Sequence, residues 1–219
     1  MTIECERELA HQLVHVLRLE KGDDIILFNG TGNDFNARIE STSRSGCMLV
    51  LDRSFAPNRE PKRKLILFQS LIKKDNFEWV LEKGVEAGVF EFVPVIATRS
   101  VKKDFSRDRA EKIIQEAAEQ CGRSIVPKLH PMVLFNEAAY FARRKGLQVF
   151  FPSITATEQE RISAYPSKPH VALFIGPEGG WSRDEVDIAR KFGFLIISLG
   201  KLTLKSETAA IVTAYQLLH

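Results

Sequence analysis

The chain has 219 residues, 44% of them hydrophobic and 27% charged, ordinary globular proportions for one medium domain or a small domain joined to a larger one. No stretch approaches the roughly 20 consecutive apolar residues of a membrane helix, so no membrane partner is expected. The net charge of +3 is uneven: residues 1–60 hold 7 basic and 10 acidic residues, 61–147 hold 17 and 11, and 148–219 hold 7 and 7, and the basic middle section reads equally as a phosphate-binding footprint or as a solvated surface.

Met1 to Leu9 carries Glu4, Glu6 and Glu8 where a secretory signal would show a basic start and an apolar run, so a cytoplasmic location is expected. Glu6 to Leu19 predicts a helix, with Leu9, Leu13, Val16 and Leu17 at helical spacing, ended by Lys21-Gly22-Asp23. Its His11 and His15 share the spacing of a zinc helix, but Gln12 replaces the general-base Glu of that motif, and no metal is expected. Ile25 to Phe28 reads as a strand, Asn29-Gly30 as a turn, and Phe35, Ala37 and Ile39 as the inward side of a second strand. Ser43 to Gly46 is another turn and Met48 to Leu51 another strand. Cys5, Cys47 and Cys121 are odd in number and form no C-x-x-C pair, which argues against a zinc knuckle or a disulfide framework. Residues 1–53 thus form a small β-rich module with one helix, followed by a charged, proline-bearing linker over 54–63.

From residue 64 to 219 the pattern alternates strand and helix. Leu65 to Phe68 is apolar throughout, as a strand covered on both faces would be. Asp75-x-x-Glu78 is a capping-box pattern opening a helix that closes near Gly88. Phe92 to Ile96 is a strand, and Ser106 caps a long helix whose inner face carries Ile113, Ile114, Ala117, Ala118 and Cys121. Asn136 to Arg144 is a shorter helix, and Leu147 to Phe151 and Val171 to Ile175 are strands. Ser182-x-x-Glu185 caps a helix through Phe192, Phe194 to Ser198 is a strand, and a last helix runs from about Ser206 to Leu218. This alternation implies a mostly parallel sheet flanked by helices. Trp79 reads as a core residue; Trp181 beside the glycine loop reads as core or as a base-stacking surface.

Three loops of this part fall after strands or at helix starts, where open α/β sheets bind ligands. Gly176-Pro177-Glu178-Gly179-Gly180 follows one strand, Ser198-Leu199-Gly200 the next, and Leu204-Lys205-Ser206-Glu207-Thr208-Ala209 opens the last helix. Alone, the glycine segment also reads as a tight turn, and it matches neither common nucleotide fingerprint. Together the three resemble the C-terminal signature of the knotted SPOUT-class methyltransferases, and more narrowly the bacterial RsmE family of 16S ribosomal RNA uridine-N3 methyltransferases, whose pattern runs Gly-Pro-Glu-Gly-Gly, Ser-Leu-Gly, Leu-Arg-(Thr)-Glu-Thr-Ala. Phe68-Gln69-Ser70 with Lys73, Lys83 to Val89, Thr98-Arg99-Ser100, Glu116 to Arg123, Val126-Pro127 and His11 to Asp23 also match family segments. The chain departs from the pattern at Lys205, where Arg is usual, at Ala87, where Leu is usual, and at its start, which lacks the family's first Arg- and Phe-rich strand.

The resemblance implies an α/β fold: a C-terminal SPOUT domain with a trefoil knot, preceded by a small PUA-like RNA-binding domain. It implies S-adenosylmethionine as cofactor, surrounded by Ile175, Gly176, Pro177, Glu178, Gly179, Leu199, Gly200, Leu204 and Thr208. Lys205 and Glu207 are the implied catalytic candidates, and Arg18, Lys73, Lys74, Arg99, Arg107 and Arg123 the candidate phosphate contacts. The implied reaction is methylation of a uridine N3 in 16S ribosomal RNA or the small ribosomal subunit by a homodimer. A methyltransferase with another RNA target and a noncatalytic ribosome-assembly factor are the alternatives.

Overall fold

A computed structural model describes residues 1–43, 46–156, 162, 165 and 168–219, and these divide into two units, residues 1–59 with 122–126, and residues 60–121 with 127–219. In the first unit, strands β1 (Thr2–Glu4), β2 (Asp24–Phe28), β3 (Asp34–Thr42) and β4 (Cys47–Phe55) form an antiparallel sheet in the order β1-β4-β3-β2. Ile39, Cys47 and Leu49 point into a core that Ala10 and Leu13 close from the helical side, and Ala37 is buried as well. Period-2 alternation reads correctly at Ala37 and Ile39, but a register shift between Phe35 and Ala37 leaves Phe35 half-buried and buries Asp34 instead. Several boundaries also differ. A short β1 precedes the helix and pairs with β4. The expected single helix is a five-residue α1 (Arg7–His11) continued by a π-helical turn, Gln12–Val16. Strand β4 runs into the expected linker because Ser54 and Phe55 pair with Phe35 and Asp34. The Ser43–Gly46 turn lies partly outside the described residues; its ends are joined by the Ser43 amide donating to the Gly46 carbonyl at 2.9 Å.

Segment Gly122–Val126 joins this first unit, far from it in sequence. Ser124 donates its hydroxyl to the Asp34 carboxylate, Arg59 donates to both Asp34 (3.2 Å) and the Gly122 carbonyl (2.8 Å), and Thr31 bridges Ile125. Asp34 is 2% exposed, so these donors satisfy a carboxylate that would otherwise be costly to bury. The contiguous boundary expected at residue 64 is therefore broken by five residues. In the same unit Cys5 and Cys47 are buried side by side, sulfurs 2.8 Å apart, and burial, then the Cys47 neighbour, pushes the Cys5 thiol up to about 12.

The second unit carries a parallel sheet of seven strands among the described residues. These are β5 (Lys64–Ser70), β6 (Glu91–Ile96), β7 (Lys128–Leu129), β8 (Val133–Leu134), β9 (Gln148–Pro152), β10 (His170–Ile175) and β11 (Leu195–Ile197), ordered β11-β9-β10-β5-β6-β7 with β8 also on β6. Every pairing is parallel. The intervening helices are α2 (Lys74–Glu86), α3 (Arg107–Cys121), α4 (Phe135–Arg144), α5 (Arg183–Lys191) and α6 (Ser206–Leu218). Central strands β5 and β10 are buried nearly end to end, as their unbroken apolar runs require. One core layer stacks Phe68 on Phe174 at 4.2 Å and Trp181 on Phe151 at 4.7 Å. Each such side chain is worth about 1.5–3 kcal/mol of burial.

Two helix starts show how well local signals read. At α5, Ser182 and Glu185 form the expected capping box (3.2 and 2.7 Å). At α2 the expected Asp75–Glu78 box does not form. The cap residue is Lys73, with no side-chain cap, and its amide donates instead to the carboxylate of Glu178 at 3.1 Å. Glu78 turns to Arg109 of α3, 2.7 Å away. Trp79, expected in the core, is 40% exposed between these two helices, and Trp181 is the buried one at 9%.

Candidate active site

The carboxyl ends of β5, β6, β10 and β11 open on one edge of the parallel sheet, and the start of α6 joins them. The turn after β10 is held from three directions. The Gly176 carbonyl accepts from the Ser206 hydroxyl (2.6 Å), the Glu178 carboxylate from the Lys73 amide (3.1 Å), and the Gly179 carbonyl from the Arg99 guanidinium (2.9 Å). The turn closes on itself where the Gly180 amide donates to the Pro177 carbonyl at 2.8 Å. Glu185 adds a fourth tie, accepting the Thr98 amide (2.8 Å) and hydroxyl (3.2 Å) beside Arg99 while 3% exposed. Loops are ordinarily the mobile part of such a fold; here hydrogen bonds from three other segments, with the buried Glu185 among the acceptors, fix the turn.

The three glycines differ in what they do. A Cβ on Gly176 would lie 3.1 Å from the Trp181 ring, and one on Gly179 would lie 3.3 Å from the Arg99 Cβ, so both serve protein packing. Gly200 holds φ at +116° with nothing within 4 Å of a built Cβ. Its glycine is required by backbone conformation, and the space beside it is open to a ligand. Leu199, Leu204 and Thr208 are half-buried around this loop and the α6 start, and Ile175 is buried beneath.

Lys205 is the cap residue of α6 and is exposed; Glu207 is half-buried. The two form no ion pair, and Glu207 Oε2 is buried with no partner among the described residues, as is Trp181 Nε1. A buried carboxylate oxygen without a partner is uncommon and marks the α6 start as a candidate polar site. Of the candidate phosphate contacts, Lys73 and Arg99 stand at the glycine turn itself. Lys74 is 3.8 Å from Glu78. Arg107 is taken up by the Leu129 carbonyl (2.8 Å) and Glu111 (2.7 Å). Arg123 is only 7% exposed and belongs with Arg18 to the first unit, which leaves its guanidinium little surface for a phosphate. Sequence reasoning missed exposed Lys102 and Lys103 on the Arg99 loop, although the run from Arg99 to Lys103 signals it. Gln69 and Ser206, both buried, stand inside segments that carry the resemblance, but the sequence assigned neither a role. Among the described residues no group of His, Cys, Asp and Glu could hold a metal ion, and no helix is long and apolar enough to cross a membrane.

A parallel α/β domain with loops gathered at its strand ends is an architecture that binds ligands at that edge. The match to known proteins makes it specific. Residues 58–218 match the RNA methyltransferase domain family and residues 6–52 the RNA methyltransferase PUA domain; the chain belongs to the RNA methyltransferase family. Its relatives include the ribosomal RNA small subunit methyltransferases E of Bacillus subtilis, 29% identical with 95% of this chain and 86% of the relative covered, and of Buchnera aphidicola from Acyrthosiphon pisum, 30% identical with 94% and 83% covered. Among solved structures, the enzyme of that name from Neisseria gonorrhoeae bound to S-adenosyl methionine superimposes with a TM-score of 0.91 at 26% identity, covering 99% of this chain and 91% of the other. A Legionella pneumophila methyltransferase with bound cofactor gives 0.86 at 32%, with the same coverage.

Proposed function

We propose that this chain transfers a methyl group from S-adenosylmethionine to N3 of a uridine in small-subunit ribosomal RNA. The observation that carries the proposal is that the glycine turn, the Gly200 loop and the α6 start lie at the same end of the parallel strands, with the turn joined to α6 through Ser206 and Gly176 (2.6 Å). The similarity to small-subunit ribosomal RNA methyltransferases over nearly the whole chain supports the substrate class. The residues present suit this cofactor: the backbone of Ile175 to Gly179, Leu199, Gly200 and Leu204, with the Thr208 side chain, would hold it, which leaves the unpartnered Glu207 Oε2 for the RNA base. When bound, S-adenosylmethionine supplies an electrophilic methyl carbon. The chain must hold the uracil ring in line with it, exclude water, and remove the N3 proton. Glu207 accepts that proton, consistent with a carboxylate not engaged by Lys205. Lys205 stabilises the negative charge that develops on the uracil oxygen as N3 is deprotonated. Lys73 and Arg99, with Lys102 and Lys103, hold the RNA backbone beside the turn.

The C-terminal domain carries the trefoil knot of its family, and the molecule acts in the cytoplasm as a homodimer. α6 supports the dimer: Ala209, Ala210, Thr213, Ala214 and Leu217 are buried, while Val212 and Tyr215 remain 42% and 59% exposed. Sedimentation at micromolar concentration should give twice the 24.8 kDa chain mass; a monomer mass rejects the dimer. The chemistry is tested with Glu207→Gln. Methyl transfer to small-subunit RNA should fall about 10²-fold or more while calorimetric affinity for S-adenosylmethionine is kept within a few-fold. An unmodified wild-type product despite tight RNA binding would instead identify a noncatalytic assembly factor.

A further inference from the structure

We infer that Gln69 and Ser206 are positioning residues that lock the Lys205–Glu207 pair against the glycine turn. The inference rests on the catalytic reading given above. Gln69 lies at the end of β5, 1% exposed, and Ser206 is the first residue of α6, 7% exposed. The Gln69 side-chain amide donates to the Ser70 carbonyl (2.9 Å) and to the Ser206 hydroxyl (3.1 Å), and that hydroxyl donates onward to the Gly176 carbonyl (2.6 Å). Three elements distant in sequence, the ends of β5 and β10 and the start of α6, thus meet at a single oxygen. Ser206 also stands between Lys205 and Glu207. Its hydroxyl therefore sets both the distance of this pair from the Gly176–Gly179 turn and the rotation of the first turn of α6.

Charge at a helix start does not need this arrangement, and Ser206 is not the cap: Lys205 occupies that position, without a side-chain cap bond. A serine that only relieved unpaired backbone groups would bond within its own helix. Here both partners lie elsewhere, Gln69 on β5 and Gly176 at the turn after β10. Displacement of reacting groups by about 1 Å costs on the order of 10²-fold in rate, so the lock acts on turnover more than on binding.

The test uses the full-length protein and three variants, each measured for single-turnover methyl transfer to small-subunit RNA and for S-adenosylmethionine affinity by calorimetry. Ser206→Ala should slow transfer about 10²-fold with affinity changed no more than about threefold, and Ser206→Thr, which keeps the hydroxyl, should recover most of the rate. Gln69→Met keeps chain length and removes the donor, and should slow transfer about tenfold; it also serves if Ser206→Ala does not fold. The Ser206→Ala deficit should shrink at alkaline pH, where uracil N3 ionises without help and a displaced Glu207 matters less. General destabilisation would not give that pH profile. Unchanged rates in both Ser206→Ala and Gln69→Met, or rate and affinity falling in parallel without alkaline recovery, overturn the inference. If Lys205→Ala and Glu207→Gln also retain full rate, the catalytic reading itself fails; if they lose activity while Ser206→Ala does not, only the positioning role is lost.

Discussion

Gly176→Ala measures how tightly the candidate cofactor turn is built. The added methyl would lie 3.1 Å from Trp181 Cε2 and 3.3 Å from Cδ2 and Nε1, a few tenths of an ångström inside ordinary contact. Trp181 cannot retreat, because its ring stacks on Phe151 at 4.7 Å and packs on Phe135 at 5.2 Å, and it is 9% exposed. Overpacking of this kind costs about 1–3 kcal/mol. For a chain of this size each kcal/mol lowers Tm by about 2–4 °C, so a fall of roughly 2–12 °C is expected by scanning calorimetry. The source of the cost is isolated by repeating the change in a Trp181→Leu background, where the methyl has room: the penalty there should drop by at least half. An equal fall in Tm in both backgrounds would refute the clash with Trp181 as its origin.

Gly200→Val should act through conformation, since φ is +116° with open space around it and a β-branched residue strongly disfavours that region. S-adenosylmethionine affinity should fall more than tenfold in a variant that still folds; a folded variant of parental affinity would remove the loop from the cofactor site. Replacing Lys73, Arg99 and Lys102 together by Ala should lower the salt dependence of RNA binding by roughly 0.7–0.9 in the log–log slope per lost phosphate contact, and an unaltered slope would place the RNA elsewhere. The hydrogen bond and charge of Arg109 hold the Glu78 carboxyl below its usual range. A depressed folded-state value stabilises the protein at neutral pH and loses that stabilisation as the pH falls through it. The Tm gap between the parent and Arg109→Ala should therefore narrow as the pH falls below the usual carboxylate range; a gap independent of pH contradicts the pairing.

Elements whose cause is local were legible in the sequence. The Ser182–Glu185 box opens α5 because both partners sit within one turn, and α6 spans Ser206 to Leu218 as its composition suggests. The turn at Gly176 to Gly180 was legible by glycine and proline content and by its place after an apolar strand. What escaped was set by partners far along the chain. The Lys73 amide is satisfied by Glu178, 105 positions away, which leaves Asp75-x-x-Glu78 without its expected role. Gly122 to Val126 serves the first unit because buried Asp34 needs donors from Ser124 and Arg59. Gln69 and Ser206 are ordinary polar residues until the fold brings them together across 137 positions. The π-helical turn at Gln12–Val16 follows the same hydrophobic spacing as an α-helix to within one residue per turn, so periodicity could not distinguish it.

The central claim is methylation of uridine N3 in small-subunit ribosomal RNA, and nucleoside mass spectrometry of that RNA tests it most directly. RNA from cells lacking this gene should lose N3-methyluridine, and incubating their small subunits with the purified protein and S-adenosylmethionine should restore it, while the Glu207→Gln protein should not. Undiminished N3-methyluridine in the deletion strain, or restoration of a different methylated nucleoside, would contradict the account.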